Sequence, residues 1–518
     1  MDCKQIGDDE LSRGVEVTAS ADPAGAATLG RWDGIERWAL AIIAALTVAR
    51  FVLAPIVPLA FDEAYYWRWS EHLAFGYLDH PPLVAWMIRA GTTLFGDTHL
   101  GVRLLPLVGG VAATWAVWRA AALLFEDRRI AALAALYFNV TLILAVGTIL
   151  ATPDSPLLVA AAFVLFFLAK AATTGHPGWW LAAGAAVGAG CLAKYTALFW
   201  FPSILLWHLL DPRMRPVLRT PAPWLGAALG LLVFLPNLLW NERHEWMSFA
   251  YQFGRVDDGD GFAPVYFFEH LGTEIGMATP IVFLLAWSGL VLFLKAGDAS
   301  RSPWLLLGAF VWPMSIYFVF HSLQARVEGN WTGPIYPAIA IAAAAVTTLD
   351  WRGGWGRFLA ALQPFAVPLG LVLVVAIYVQ TVSGILPLGS WDPTASRMGA
   401  GIEEVTAEIE EIRQAEGATL ILAPDYALTG WLSFYQPTQP APVAELGEPD
   451  RWLQEPPLSD EARSGPYLLI LRAGDGEAEI ETPYGTATRI DTIDRTRGDL
   501  VIARYDVYRI DRRVLAGG

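Results

Sequence analysis

About eleven apolar runs, most of them close to the length of a membrane-crossing helix, divide the first three quarters of the chain. A helix needs about 20 consecutive apolar residues to cross the hydrocarbon layer of a bilayer. The whole chain is 55% hydrophobic and only 16% charged, too few polar side chains to cover a soluble protein of 518 residues. We therefore predict a polytopic α-helical membrane protein with about 11–13 spans. The runs lie at about 36–58, 100–125, 129–151, 155–171, 178–193, 196–210, 222–240, 278–294, 303–321, 331–349 and 358–387.

The two ends of the chain differ from this apolar region. Residues 1–35 are polar and lack the basic start of a cleavable signal, so they are predicted to form a disordered cytoplasmic tail. Residues 36–387 form the transmembrane domain, with 59–99 as an amphipathic first outer loop. In residues 388–518 the charge rises, and an amphipathic helix ending at Gly417 precedes short apolar runs. These features predict a small soluble α/β domain, which includes a helix capped by Asp425.

The positions of Lys and Arg predict the orientation. If the N-terminal tail is cytoplasmic, every cytoplasmic connection between the runs contains a basic residue, as the positive-inside rule requires. An odd number of spans then places residues 388–518 in the periplasm. The same alternation places every chemically distinctive stretch on the outer side, which predicts one composite site there. These stretches are residues 59–99, TPDSP (152–156), LAKYT (192–196), WNERHEW (240–246) and QARVEGNW (324–331).

The stretch FDEAYYWRWSEHLAFGYLDHPPLVAW (61–86) concentrates acidic and aromatic residues beside the first run. A charged side chain at membrane depth costs roughly 2.5–3.5 kcal/mol on insertion scales, so such a cluster indicates a functional site. Asp62 and Glu63 are neighbours that diverge by about 100° on a helix, so one is predicted to act and the other to support it. The alternative is that both stabilise the N-terminus of the following helix. Tyr65, Tyr66 and Trp67 then suit a sugar-binding surface.

Four further residues each have a functional and a structural interpretation. His80 could ligate a metal or donate to a phosphate, or simply bond to backbone in its loop. Asp154 could belong to the site or cap a turn. Lys194 interrupts an apolar region and needs an anionic partner, unless it extends to the membrane interface. Arg326 could bind two phosphate oxygens, or pair with Glu328.

As a set, these motifs resemble the membrane-embedded type C glycosyltransferases, the relatives of the protein O-mannosyltransferases and of the lipid A aminoarabinose transferase. The resemblance covers about residues 36–350, and DYALTGWLSFY (425–435) is also similar. It is nearest to bacterial members that use polyprenyl-phosphate sugars on lipopolysaccharide. One element departs from the pattern, because the acid-Lys-Pro of the aminoarabinose enzymes is Asp79-His80-Pro81 here.

The resemblance implies inverting transfer of a sugar from a polyprenyl-phosphate donor to an envelope lipid, glycolipid or protein. The reaction would take place on the periplasmic face of the bacterial inner membrane. By this match Asp62 is the general base, Asp154 positions or shares that role, and Glu63 supports it. The expected donor-phosphate contacts are cationic: Lys194, Arg326 and His80. The expected sugar or acceptor contacts are Tyr65, Tyr66, Trp67 and Asn330. No cofactor is required, although Asp79 and a histidine could hold a divalent metal.

Two other classes of function fit a polytopic, aromatic-rich chain. A flippase or transporter for lipid-linked sugars would place its charges near the bilayer midplane, on broken and often duplicated helices. Here the charges lie at the ends of runs on one side, and no repeat is visible. A structural scaffold would not need the acid cluster. The sequence therefore favours the transferase, and it contains no feature of a nucleic-acid-binding protein.

Overall fold

The fold was analysed in a computed structural model that describes residues 34–257, 261–293, 298–346, 349, 354–436, 441–474 and 478–511. Most of the predicted tail, residues 1–33, lies outside these ranges. Within them the chain forms twenty α-helices and one six-stranded sheet. The helices α1–α17 make up the apolar region, and α18–α20 with the sheet make up the C-terminal domain.

The apolar region is entirely helical in its regular structure. Short 3₁₀ segments at 195–199, 215–219, 333–335 and 363–365 connect some of the helices. The α-helices are α1 (Gly34–Leu53), α2 (Phe61–Glu71), α3 (Leu83–Phe95), α4 (His99–Phe125), α5 (Arg128–Val140), α6 (Leu142–Gly147), α7 (Asp154–Thr174), α8 (Gly178–Ala193), α9 (Trp200–Leu210), α10 (Pro221–Arg243), α11 (Met247–Asp257), α12 (Val265–Ala278), α13 (Pro280–Leu292), α14 (Asp298–His321), α15 (Tyr336–Ala345), α16 (Gly354–Leu362) and α17 (Ala366–Ser383).

Each predicted apolar run coincides with one helix or with two or three consecutive helical segments, which confirms the polytopic helical class. The described helices nevertheless include only five that are long and apolar enough to cross a membrane, or six if the pair α12–α13 counts as one span. The count of about 11–13 spans, which rests on the apolar runs, stays a prediction, because several runs form shorter or interrupted helices. One break lies at Thr141, between α5 and α6. Another lies at Thr279, where α12 and α13 meet at 104°.

Small residues allow the apolar helices to approach closely. A Cβ atom added to Gly184 in α8 would lie 1.9 Å from the carbonyl oxygen of Gly226 in α10. Any larger residue would therefore force the two helices apart. Membrane helices commonly use small residues in this way, because van der Waals contact rather than the hydrophobic effect holds them together in lipid. This packing sets the position of α8, whose last residue precedes Lys194.

The C-terminal domain is a mixed sheet with helices, as the sequence predicted. The strands follow the order β2-β1-β3-β6-β5-β4; β1 is parallel to β2 and β3, and the other neighbouring pairs are antiparallel. The helix α19 ends at Gly417, which has φ +63°, and Asp425 caps α20 through the amide of Leu428 at 2.9 Å. The elements are α18 (Pro393–Ser396), α19 (Ile402–Glu416), α20 (Tyr426–Phe434), β1 (Leu420–Ala423), β2 (Val443–Glu445), β3 (Tyr467–Arg472), β4 (Glu479–Thr482), β5 (Gly485–Arg497) and β6 (Leu500–Ile510).

The C-terminal domain is packed directly on the first outer loop through α20 and α2. A Cβ atom added to Gly430 would lie 2.8 Å from the amide nitrogen of Tyr65, so the close approach of the two helices requires glycine. The indole of Trp431 donates to the carbonyl of Leu59 at 2.9 Å. Ala64 of α2 is buried in the same apolar cluster as the core of the C-terminal domain. The two regions therefore share a core at the acidic stretch.

Candidate active site

Glu63 is a structural carboxylate. It is fully buried and forms a two-point ion pair with Arg103 of α4, with N–O distances of 2.7 and 2.5 Å. It also accepts hydrogen bonds from the amides of Ala60 at 2.9 Å and Ala151 at 3.0 Å. With its oxygens engaged in this way, Glu63 does not face an open site, a geometry that suits the supporting role predicted for one member of the pair.

Asp62 faces a different environment. Its side chain is half-buried, and Tyr426 of the C-terminal domain donates to Oδ1 at 3.5 Å. Burial raises the pKa of Asp62 to about 7; the charge of Arg397 opposes this rise, and the charges of Asp154 and Glu63 add to it. A carboxyl group with a pKa near neutrality can both accept and release a proton at working pH, as a general base must.

Asp154, Lys194 and Asn330 come together, although they lie far apart in the sequence. The ammonium of Lys194 is 2.7 Å from Asp154 Oδ1, and the Asn330 amide donates to Oδ2 at 2.6 Å. Lys194 is almost fully buried, so the anionic partner that the sequence required for it is Asp154. Asp154 is the first residue of α7 and makes no side-chain capping bond, so the capping alternative is wrong. The charge of Asp154 also acts on Asp62.

A cleft of about 110 Å³ adjoins Lys194. It is lined mainly by aromatic rings and by no carboxylate; its non-aromatic polar groups are Lys194, Thr196 and Gln252, and two histidines, His80 and His321, also line it. The lining thus combines an apolar wall with cationic or proton-donating groups, a combination that suits an amphiphile with an anionic head. His80 and Lys194, two of the three predicted phosphate contacts, lie here.

The third predicted phosphate contact, Arg326, is not part of this lining. Its side chain is 65% exposed, and its nearest acidic partners are Glu269 at 3.7 Å and Glu328 at 3.9 Å. These are long surface contacts of the kind that contributes little free energy. This geometry favours the alternative of a simple Arg–Glu pair, and the assignment of Arg326 to the donor phosphate stays a prediction that it does not support.

The predicted sugar-binding aromatics are mostly interior residues. Tyr65 is fully buried and Tyr66 is nearly so, and both belong to an apolar cluster that includes Trp69. Trp67 is half-buried, with its indole donating to Asp97 at 2.8 Å. The aromatic side of α2 consequently packs against other protein groups instead of presenting a sugar-binding surface. Among the predicted sugar or acceptor contacts, Asn330 alone lies in the Asp154 group.

Asp79, the predicted metal ligand, is engaged by protein donors. It forms an ion pair with Arg451 of the C-terminal domain, and the Tyr65 hydroxyl donates to the same carboxylate oxygen at 2.9 Å. No group of three or more His, Cys, Asp or Glu side chains in the described part of the chain is arranged to hold a metal ion. A guanidinium beside a carboxylate disfavours a second cation there, so these residues do not fit a metal site.

Three residues that sequence reasoning missed complete this region: Arg103, Tyr426 and Arg451. Arg103 had a detectable signal, because a buried arginine within an apolar run needs an acidic partner. Tyr426 lies within the DYALTGWLSFY motif, which was recognised without a role for this residue. Arg451 is nearly fully buried in a 3₁₀ segment at 449–452, and no periodicity or motif marks it.

Comparisons with known proteins agree with this arrangement. A family model described as dolichyl-phosphate-mannose-protein mannosyltransferase matches residues 79–240. The lipid A galacturonosyltransferase RgtD of Rhizobium johnstonii is 27% identical over 321 residues, covering 60% of this chain and 66% of the relative. An undecaprenyl phosphate-alpha-4-amino-4-deoxy-L-arabinose arabinosyl transferase of Pseudomonas fluorescens is 26% identical over 303 residues, covering 52% and 53%. The match thus spans just under two thirds of the first relative and about half of the second.

The fold is similar to that of ArnT from Cupriavidus metallidurans, solved with bound undecaprenyl phosphate. The TM-score is 0.64 at 17% sequence identity, and the match covers 93% of this chain and 99% of ArnT. At this identity the similarity establishes the fold, including the C-terminal domain. The family model, the two relatives and the fold agree: the chain is similar to the membrane-embedded type C glycosyltransferases, which include the protein O-mannosyltransferases and the ArnT-like enzymes.

Proposed function

We propose that the protein transfers a sugar from a polyprenyl-phosphate donor to lipid A or another envelope acceptor, with inversion at the anomeric carbon. The observation that carries this proposal is the position of Asp62, a carboxyl group with a pKa near 7 within electrostatic reach of the Asp154–Lys194 pair. The names of the two relatives, which act on lipid A or use an undecaprenyl-phosphate sugar, support this substrate class. The positive-inside rule supports a periplasmic site in the bacterial inner membrane.

The donor sets the demands of the reaction. Its sugar already carries a phosphate that can leave, so catalysis needs a base for the acceptor hydroxyl and cationic groups for the departing phosphate. In the proposed step Asp62 takes the proton of the acceptor hydroxyl, and the oxygen of that hydroxyl bonds to the anomeric carbon. The bond from that carbon to the phosphate oxygen breaks, and polyprenyl phosphate leaves on the opposite face.

The Lys194 ammonium suits the leaving phosphate. An ammonium has three N–H donors, and the Asp154 contact uses one of them. Asp154, which Asn330 orients, would then hold Lys194 at the wall of the cleft, with His80 as a further donor. This assignment gives Asp154 a positioning role and leaves proton transfer to Asp62. The proposed chemistry draws on these side chains and requires no cofactor.

Purified protein in detergent, labelled polyprenyl-phosphate sugar and lipid A provide the test. The transferase releases polyprenyl phosphate and labels the acceptor, whereas a flippase does neither. The Asp62→Asn variant should lower turnover by roughly 10²–10⁴-fold, the usual effect of losing a general base, with donor binding retained. The Asp97→Asn variant makes the same change at an exposed position of the same loop and should stay active. A folded, fully active Asp62→Asn enzyme would move the assignment to Asp154.

A further inference from the structure

We propose that the C-terminal domain is part of the active site: Tyr426 is a positioning residue that orients Asp62, and Arg451 holds Tyr426 in place. This inference rests on the proposed function, because it takes Asp62 as the base. It assigns a task to a domain that lies, in sequence, more than 300 residues from the acidic stretch.

Tyr426 reaches Asp62 from the start of α20. Its hydroxyl donates to Asp62 Oδ1, and its ring packs on Tyr65 at 4.7 Å and on Phe61 at 6.1 Å between centroids. The Asp425 cap fixes the first turn of α20, and the contact at Gly430 fixes its distance from α2. The hydroxyl is therefore held by the docking of a whole helix and not by a free loop.

Arg451 braces the ring of Tyr426. Its guanidinium carbon lies 4.8 Å from the ring centroid, within the range of a cation–π contact. The side chain is only 6% exposed and is fixed by Asp79 and by the hydroxyl of Tyr251 in α11 at 2.8 Å. Arg451 thus ties the C-terminal domain to two segments of the membrane domain. Arg451 also pairs with Glu448 at 2.7 Å and with Glu445 at 3.9 Å. None of its described contacts is with Asp62, so it acts on Asp62 through Tyr426.

The groups that favour the charged form of Asp62 and those that disfavour it come from different parts of the chain. Arg397 and Tyr426, both from the C-terminal part of the chain, favour the charged carboxylate. Asp154 of α7 and Glu63 of α2 disfavour the charged carboxylate. The charge of Asp62 in turn contributes to the raised pKa of Tyr66. The C-terminal part therefore supplies the described groups that stabilise the form of Asp62 able to accept a proton. The hydrogen bond from Tyr426 lowers the pKa of Asp62, so its loss should raise that pKa.

The first experiment measures Asp62 without turnover. A hydrophobic carbodiimide modifies protonated carboxyl groups, and tandem mass spectrometry can follow the modification of Asp62 against pH in the full-length protein. The Tyr426→Phe variant should move the midpoint upward by about 0.5–1 pH unit, the effect of losing one hydrogen bond to the charged form. The matched control is Tyr435→Phe, which removes a hydroxyl at the far end of α20 that accepts from the Leu59 amide. An unchanged midpoint in Tyr426→Phe would overturn the role of Tyr426.

The second experiment tests Arg451. Replacing it alone leaves Asp79 buried without its cation, so the informative variant is the double substitution Asp79→Asn/Arg451→Gln, with Arg451→Lys as a charge-retaining companion. If Arg451 braces Tyr426, the double variant should show the same upward shift of the Asp62 midpoint as Tyr426→Phe. A wild-type midpoint in the double variant would show that Arg451 serves only its ion pairs with acidic side chains and would overturn its role at Tyr426. A wild-type midpoint in folded Arg451→Lys would contradict a need for the planar guanidinium.

Turnover against pH separates positioning from a general structural defect. Tyr426→Phe should lose several-fold activity near pH 6.5 and recover toward the wild-type rate near pH 8.5, because the higher pH restores the carboxylate. An equal loss at every pH would contradict the positioning role. If the wild-type protein transfers no sugar, the proposed function fails. The carbodiimide midpoints still decide whether Tyr426 lowers the pKa of Asp62.

Discussion

Replacing Glu63 by Gln should destabilise the protein strongly, although the side chain keeps its size. Glu63 is fully buried and accepts two hydrogen bonds from Arg103 and two from backbone amides. The other three N–H groups of Arg103 are directed at the carbonyls of residues 54, 57 and 58, so its guanidinium cannot turn to another anion. A Gln amide would remove the balancing charge and would point an N–H group at a guanidinium that is itself only a donor.

The magnitude follows from burial. Removing one partner of a buried ion pair typically costs about 3–5 kcal/mol, because the other charge stays buried without compensation. At about 1.4 kcal/mol per factor of ten, the ratio of unfolded to folded protein should rise on the order of 10²–10³-fold. The matched control is Glu71→Gln in the same helix. Glu71 pairs with Arg89 at 2.6 Å, but the two side chains are 35% and 46% exposed, so this change should cost about 0–1 kcal/mol.

The assay is unfolding in mixed detergent micelles, followed by the fluorescence of the 23 tryptophans. Glu63→Gln should unfold at a clearly lower denaturant fraction than the wild type. Glu71→Gln should unfold at the same fraction as the wild type. The double variant Glu63→Gln/Arg103→Gln should recover part of the loss, because both charges are then absent. If Glu63→Gln were no less stable than Glu71→Gln, the assignment of Glu63 as the structural member of the acidic pair would be refuted.

Three further predictions concern activity and orientation. If Asp62 is the general base, as proposed, it must be deprotonated to act, and burial raises its pKa to about 7. Turnover should then fall as the pH decreases below 7 and level off above it; a profile flat from about pH 5.5 to 8.5 would contradict this. Lys194→Ala should weaken binding of labelled polyprenyl phosphate by roughly 10–100-fold, the effect of losing a charged hydrogen bond, whereas exposed Arg326→Ala should bind normally; equal losses would contradict the site. In a background without the N-terminal cysteine, Asp460→Cys should react with an impermeant thiol reagent in intact cells and Arg215→Cys only after permeabilisation; the reverse pattern would invert the orientation.

Much of the fold could be predicted because its signals are local. The apolar runs mark the helices, Gly417 follows the last residue of α19, and Asp425 caps α20. The sharp break between α12 and α13 could not be predicted in this way. It requires φ +67° at Thr279, a conformation that a β-branched residue rarely adopts. Only the tertiary packing of the surrounding helices can impose such a conformation, so the sequence gives no local sign of it.

Part of the site could be predicted because a buried charged side chain needs an oppositely charged partner. An ammonium in an apolar region implied an anion near Lys194, and the structure identifies it as Asp154. The aromatic residues after Asp62 carried no such constraint, since a tyrosine pair suits a core as well as a binding surface, and Tyr65 is in the core. Arg451 pairs with Asp79 across 372 residues, a contact that a single sequence cannot specify.

The docking of α20 on α2 through Gly430 has a consequence for how the protein is made. The contact between Tyr426 and Asp62 closes a loop of 364 residues, so it joins one segment to another that leaves the ribosome much later. Contacts so distant in sequence form late, because the entropy of closing the loop must be overcome before they contribute. A growing chain therefore carries its acidic stretch with that face of α2 uncovered until the C-terminal domain has been made and folded. Premature termination anywhere before α20 should yield an inserted but unfinished protein, with an apolar face that quality-control proteases can recognise.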